Sequence, residues 1–168
     1  MKRILLIISI ILLPQALVCA QGKTISKTQL TATVSGCRQY EGAELVKLGR
    51  LATAALKKTI RLSSANDSDA RQVLSLMKGI REMAILDYSD CSETDKESIS
   101  RKLERALSGG EMLMEASDEG GKMRIYGVVD DKTDTVRDFV MYAPSDCALI
   151  CIFGSISLKT VAKMASND

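Results

Sequence analysis

The C-terminal part of the chain contains three apolar runs that are separated by two short polar turns. The runs cover Met123–Val129, Val136–Ala143 and Cys147–Ile156. Short turns connect neighbouring antiparallel strands, so the pattern predicts a β-meander. The last run is continuously apolar and rich in Ile and Leu, which is typical of a strand that is covered on both faces. We therefore predict that Cys147–Ile156 is the central strand of a sheet.

Upstream of the meander, apolar residues recur at helical spacing in several segments. The spacing predicts a first helix over about Ala43–Leu62 and a short second helix that ends at Gly79. A third helix follows Ser92, which can form a capping pair with Asp95. A closing helix is predicted to begin at Ser157. Each of these helices has one apolar face and can therefore pack on a sheet.

Two further strands are predicted, over Ile80–Tyr88 and Met112–Ala116, where apolar residues are bounded by turn residues. The predicted order of elements is α-α-β-α-β-β-β-β-α. This order indicates an α+β fold in a single domain that covers residues 41–168. We expect a mostly antiparallel sheet of about five strands with the helices packed on one face.

The N-terminus has the features of a secretory signal peptide over residues 1–20. Lys2 and Arg3 precede an apolar run over Ile4–Val18, and Ala20 stands before the expected cleavage point. An alternative is a lipoprotein anchored through Cys19, although Val18 is a poor fit to that processing pattern. The expected location is the periplasm or the cell envelope. Residues 21–40 then form a polar arm, which we interpret as mobile or as an added edge strand.

Charge and hydropathy argue against nucleic acid as a partner and against a transmembrane helix. The chain has 23 Lys and Arg residues against 21 Asp and Glu, and cleavage would remove Lys2 and Arg3, which leaves 21 of each sign. A formally neutral domain without a basic tract is a poor candidate for nucleic-acid binding. After the signal peptide, the sequence contains no apolar stretch long enough to predict a transmembrane helix.

Four cysteines remain after the predicted cleavage, and an exported protein can form disulfides. Cys147 and Cys151 would be about 13 Å apart on one strand, which is beyond the reach of a disulfide. These two residues are better interpreted as small core side chains. The candidate disulfide is Cys37–Cys91.

The chain contains no histidine, which excludes Ser-His and Cys-His catalysis and the commonest zinc ligand. Ser75 and Lys78 have the spacing of a Ser-Lys pair, but a solvated helix face is the better interpretation. Asp130, Asp131 and Asp134 share one turn that lacks the acidic spacing and the glycine of a calcium loop. We therefore predict no catalytic residues, no metal site and no cofactor.

Four segments of the sequence resemble a known family. They are Glu41–Val46, Leu76–Arg81, Met123–Gly127 and Gly154–Lys159. The chain is similar to the family called domain of unknown function 4252, which consists of small exported proteins of the Bacteroidota. The resemblance implies export into the cell envelope and a compact α+β domain. It implies no particular activity, cofactor or catalytic residue.

One face of the meander is predicted to form an exposed apolar patch with a basic rim, because side chains alternate between the two faces of a strand. The predicted partner-binding residues are Arg124, Tyr126, Val140, Tyr142, Ile150 and Ile152. The residues predicted to share one buried face are Phe139, Leu149, Cys151 and Phe153. A slip of one residue in either hairpin would exchange the two faces.

These observations lead to a functional hypothesis. We expect an exported, non-catalytic envelope domain that binds an unknown envelope protein or a small ligand through its sheet. A hydrolase without histidine and a purely structural envelope component are the alternatives.

Overall fold

The computed structural model describes residues 24–63, 74, 77–118 and 121–159. Three complete helices lie in these ranges: α1 (Lys27–Gly36), α2 (Arg50–Ser63) and α3 (Glu93–Leu107). The six strands are β1 (Glu44–Leu48), β2 (Ile80–Asp87), β3 (Met112–Asp118), β4 (Gly121–Asp130), β5 (Thr135–Ala143) and β6 (Ala148–Ser157). Within the described ranges, no helix has the length and apolar character that a membrane crossing requires.

The six strands form one open sheet in the order β1-β2-β6-β5-β4-β3, and every neighbouring pair is antiparallel. β3 to β6 follow one another as hairpins, so the predicted meander is confirmed. β6 lies between β2 and β5, which confirms that the longest apolar run is an interior strand. The α+β fold class is therefore confirmed, with six strands instead of about five.

The additional strand is β1, and it corrects the prediction of a helix over Ala43–Leu62. Residues Glu44–Leu48 pair with β2, with Val46 opposite Ile85, and the helix begins only at Arg50. Leu45 and Leu48 fit helical spacing, but so short a segment has a weak intrinsic preference. The free edge of β2 supplies backbone hydrogen-bond partners that decide the conformation.

The predicted polar arm is also corrected, because residues Lys27–Gly36 form helix α1. Ser26 caps this helix, and its side-chain oxygen accepts a hydrogen bond from the backbone N–H of Gln29 at 3.3 Å. Leu30 and Val34 lie one turn apart and are completely buried. Two large apolar residues among mostly polar ones are too few to predict a helix from periodicity. Their burial against the sheet stabilises the helix.

Helix α3 follows the sequence prediction closely. The Ser92 hydroxyl accepts from the Asp95 backbone N–H at 3.2 Å and lies 2.7 Å from the Asp95 carboxylate, so the predicted capping pair is confirmed. The buried residues of α3 are Ile99, Leu103, Ala106 and Leu107. Together with α1, this helix packs against one face of the sheet in a cluster that includes Leu149, Cys151 and Phe153. We call this cluster the helix-side core.

The opposite face of the sheet carries a second buried cluster, which includes Ile125, Phe139 and Ile152. Ile60 of α2 packs against it, so the helices do not all lie on one face of the sheet, in contrast to the sequence prediction. The prediction that Phe139 shares a face with Leu149, Cys151 and Phe153 is therefore wrong. The cause is register: Phe139 lies opposite Ile152, not opposite Cys151, so it points to the other side of the sheet.

Several predicted elements lie outside the described residues. These are the signal peptide, most of the short second helix and the part of the closing helix beyond Lys159. The tip of the β3–β4 hairpin, at residues 119 and 120, also lies outside them.

Candidate functional site

The structure places three of the predicted patch residues in the helix-side core. Tyr126, Val140 and Tyr142 are all buried there, beneath the chain's own helices. Cross-strand pairing aligns Tyr126 with Val140, so the prediction that the two share a face is confirmed. The prediction that this face is exposed is wrong.

The other three patch residues are not part of an exposed patch around the tyrosines. Ile150 and Ile152 lie on the opposite face of the sheet, and Ile152 is buried there. The Arg124 guanidinium forms ion pairs with Glu115 at 2.9 Å and with Glu104 at 3.3 Å. Arg124 therefore connects α3 with the sheet and is not a free basic rim.

The register of the β5–β6 hairpin explains why Ile150 and Ile152 do not share a face with Tyr142. The β5–β6 connection places Ala143 opposite Ala148, so Tyr142 lies opposite Leu149 and not opposite Ile150. Cys147 ends the turn in the left-handed region, with φ of 54°, and is not yet part of the strand. Including Cys147 in the strand shifts the expected pairing by one residue and exchanges the two faces of β6.

An apolar surface does exist, but on the face opposite α1 and α3. One row of directly paired residues crosses all six strands. The row consists of Val46, Ile85, Ile150, Met141, Ile125 and Met114. We call this row the open strip.

The ends of the open strip are accessible to solvent. Val46 is 54% exposed, Ile85 37% and Met114 39%, while Ile150 and Met141 are half-buried. Ile125 is only 2% exposed and belongs to the second buried cluster, against which Ile150, Met141 and Ile60 of α2 also pack. The two ends of the strip are therefore exposed apolar surface of the kind that marks interaction sites, while its centre is part of the core.

Two carboxylates lie beside one end of the open strip. Glu44 pairs with Asp87, and each stands two residues from Val46 or Ile85, so both lie on the same face. The Ser89 backbone N–H and hydroxyl donate hydrogen bonds to Asp87 at 2.9 and 2.7 Å. These bonds lower the pKa of the Asp87 carboxyl, so it is ionised at neutral pH.

Sequence reasoning missed Val46, Ile85, Met141 and Met114 as surface residues. Val46 was assigned to a helix, and the others depended on the register of several strands. The signal that could have found Met141 is the turn Pro144–Cys147. A four-residue loop there aligns Met141 with Ile150, as observed.

All four cysteines of the described chain are free thiols, so the candidate Cys37–Cys91 bridge is not formed in this structure. Both side chains belong to the helix-side core. Burial raises the pKa of each of the four thiols, and it raises the pKa of Cys151 to about 12. Thiols that stay protonated at neutral pH are poor nucleophiles.

The other candidates for catalysis or metal binding were Ser75, Lys78 and the acidic turn after β4. In the turn after β4, the Asp130 carboxylate accepts a hydrogen bond from the Lys132 backbone N–H at 3.1 Å. Across the described residues, His, Cys, Asp and Glu do not form a cluster of three that could hold a metal ion. Lys78 is exposed, and Ser75 lies outside the described residues.

The fold and the surface together define a class of small α+β domain. Two helices cover one face of a six-stranded antiparallel sheet, and part of the other face is exposed among the residues that the structure describes. The chain belongs to the family described as domain of unknown function (DUF4252), whose model matches residues 54–164. Searches of curated proteins and of solved structures found no match.

Proposed function

We propose that this protein is exported to the cell envelope and acts there as a non-catalytic domain that binds a partner protein through the open strip. The basic and apolar N-terminal segment supports export. The absence of histidine and the protonated, buried thiols support a binding role rather than a catalytic one.

The observation that carries the proposal is the apolar row across six strands, whose two ends are exposed. Val46, Ile85 and Met114 expose large apolar side chains that a folded domain ordinarily buries. Met114 and Met141 add flexible thioether side chains, which adapt to irregular apolar surfaces. The row is therefore suited to contact with an apolar protein segment.

Charge indicates the chemistry of that segment. Glu44 and Asp87 lie next to Val46 and Ile85 and make this end of the strip acidic. A complementary partner presents apolar side chains that are flanked by a lysine or an arginine. We therefore propose that the ligand is a protein segment with an apolar stretch and a basic flank.

The test uses the double variant Val46→Glu with Ile85→Lys. Because these residues lie directly opposite each other, the new charges can pair across the strands and the net charge is unchanged. The matched control is Leu51→Glu with Leu56→Lys, which changes two exposed apolar residues on α2 in the same way.

Each purified domain is cross-linked in envelope extract, and the cross-linked peptides are identified by mass spectrometry. The proposal expects one apolar peptide with a basic flank, at least tenfold depleted with the strip variant and retained with the control. Equal recovery with both variants, or no specific peptide with the wild type, would overturn it.

Export is tested separately by N-terminal sequencing of the protein from envelope fractions. We expect the chain to begin at Gln21. A lipid-modified Cys19 as the first residue would show instead that the protein is a lipoprotein, and an intact Met1 would contradict export by a cleaved signal.

A further inference from the structure

Register shifts occur in four neighbouring strand pairs and follow one another across the sheet. Each shift is by one residue, at positions that include Leu113, Gly127, Asp138 and Arg81. Bulges bend strands and change the direction of side chains, and they are enriched beside functional sites. Aligned bulges on adjacent strands therefore form a crease in the sheet.

At the crease, Gly154 and Asp138 have positive φ angles, which few residue types adopt. Gly154 has φ of +126°, and a Cβ atom at this position would be 2.2 Å from the Gly79 carbonyl oxygen. Asp138 has φ of 51°, and its carboxylate accepts a hydrogen bond from the Gly154 N–H at 3.4 Å. Only glycine fits the close approach at residue 154.

A cleft of about 390 Å³ opens at this crease. Its polar lining includes Lys27, Arg50, Arg81, Arg137, Asp138 and Ser155. The volume is at the lower end of the range for small-molecule sites, about 300–1,000 Å³. We call this feature the basic cleft.

Two of the four cations are already engaged by one carboxylate. Lys27 Nζ and Arg50 Nε each lie 2.8 Å from an oxygen of Glu82. Arg81 and Arg137 are exposed and form no ion pair within the described chain.

The balance of charge indicates the class of ligand. Among the described residues, the four cations that line the basic cleft are accompanied by two carboxylates, Asp138 in its wall and Glu82 beside it. An excess of two positive charges remains, which matches a dianion. The planar guanidinium groups of Arg81 and Arg137 present paired N–H donors that suit the oxygens of a phosphate or sulfate group.

We propose that the basic cleft binds a tetrahedral oxyanion, the phosphate or sulfate group of a small ligand, through Arg81 and Arg137. This site is separate from the open strip, and it does not depend on the proposed partner protein. Arg81 and Arg137 hold the oxyanion, while Glu82 keeps Lys27 and Arg50 at the rim.

The test is a titration of the labelled domain with inorganic phosphate, inorganic sulfate or acetate, followed by NMR. We expect saturable shifts of the Gly154 and Ser155 amides with phosphate and sulfate. The double variant Arg81→Gln with Arg137→Gln should weaken phosphate binding at least tenfold. The matched control, Arg38→Gln with Arg101→Gln, removes the same charge from two exposed residues outside the cleft and should bind as the wild type does.

The outcomes separate the alternatives. Absence of saturable binding, equal weakening in both double variants, or acetate binding as tightly as phosphate would overturn the proposal. The two arginines are exposed and form no ion pair with the residues that the structure describes, so an unchanged melting temperature is expected and serves as the folding check.

A second arm measures sedimentation with phosphatidylcholine vesicles with and without phosphatidic acid. Sedimentation that requires both phosphatidic acid and the two arginines assigns the bound phosphate to a lipid headgroup. Phosphate-induced shifts without sedimentation assign it to free phosphate or a soluble ester.

Discussion

Phe153 offers the most direct test of how the sheet packs against α1 and α3. Its side chain is 5% exposed, belongs to the helix-side core, and has Lys27 Nζ 4.5 Å from the ring centroid. Burial of an aromatic side chain removes about 150–250 Å² from water, which corresponds to about 4–6 kcal/mol as an upper bound. Alanine retains part of this burial, so we expect Phe153→Ala to lower the free energy of unfolding by about 3–5 kcal/mol.

The measurement is urea unfolding followed by circular dichroism, with the free energy extrapolated to water. Leu51→Ala is the control, because Leu51 is 89% exposed and its loss should change the free energy of unfolding by less than about 0.5 kcal/mol. A loss below about 1 kcal/mol for Phe153→Ala would refute the assignment of this ring to the core. An equal loss in both variants would show that the assay does not report burial.

Three further outcomes are expected. Tyr142→Phe should leave the free energy of unfolding unchanged or raise it by up to about 1 kcal/mol, because the buried Tyr142 hydroxyl has no hydrogen-bond partner in the described chain. Tyr88→Phe should lower it by about 0.5–1.5 kcal/mol, because the hydrogen bond to a serine hydroxyl is lost. Urea unfolding compares the two variants, and a larger loss for Tyr142→Phe would contradict this expectation. The lysine and arginine partners of Glu82 lower its pKa, so the stability that Glu82 contributes is present above its unfolded pKa and is lost as the pH falls through its folded pKa. The difference in free energy of unfolding between the wild type and Glu82→Gln should therefore vanish in acid. A difference that stays constant with pH would refute this. Because all four cysteines of the described chain are free, a thiol assay of the denatured mature chain should count four reactive thiols. A count of two, together with a disulfide-linked peptide pair that contains Cys37 and Cys91, would instead establish the disulfide predicted from the sequence.

The sequence by itself determined those elements whose structural signals lie within one short segment. Helix α3 was predictable because its cap at Ser92 and its apolar stripe lie within one continuous segment. The meander was predictable because short turns leave few alternatives to antiparallel pairing, and β6 was recognisable as interior from its unbroken apolar run. The family resemblance was also confirmed by the match over residues 54–164, which contains three of the four segments that carried it.

The tertiary structure alone decided the elements whose own sequence is ambiguous. Glu44–Leu48 is a strand because the edge of β2 was available, and Lys27–Gly36 is a helix because the sheet buries Leu30 and Val34. Neither cause is contained in the segment itself, since the deciding partner is distant in the chain.

The candidate sites depended even more on long-range geometry. One residue of register, set by the left-handed conformation at Cys147, decides which face carries Tyr142 and which carries Ile150. The open strip needs the register of all six strands, and the basic cleft needs bulges on neighbouring strands to bring Arg81 and Arg137 together. Composition and periodicity predict which residues prefer to be buried, but only the completed sheet determines the face on which each one lies.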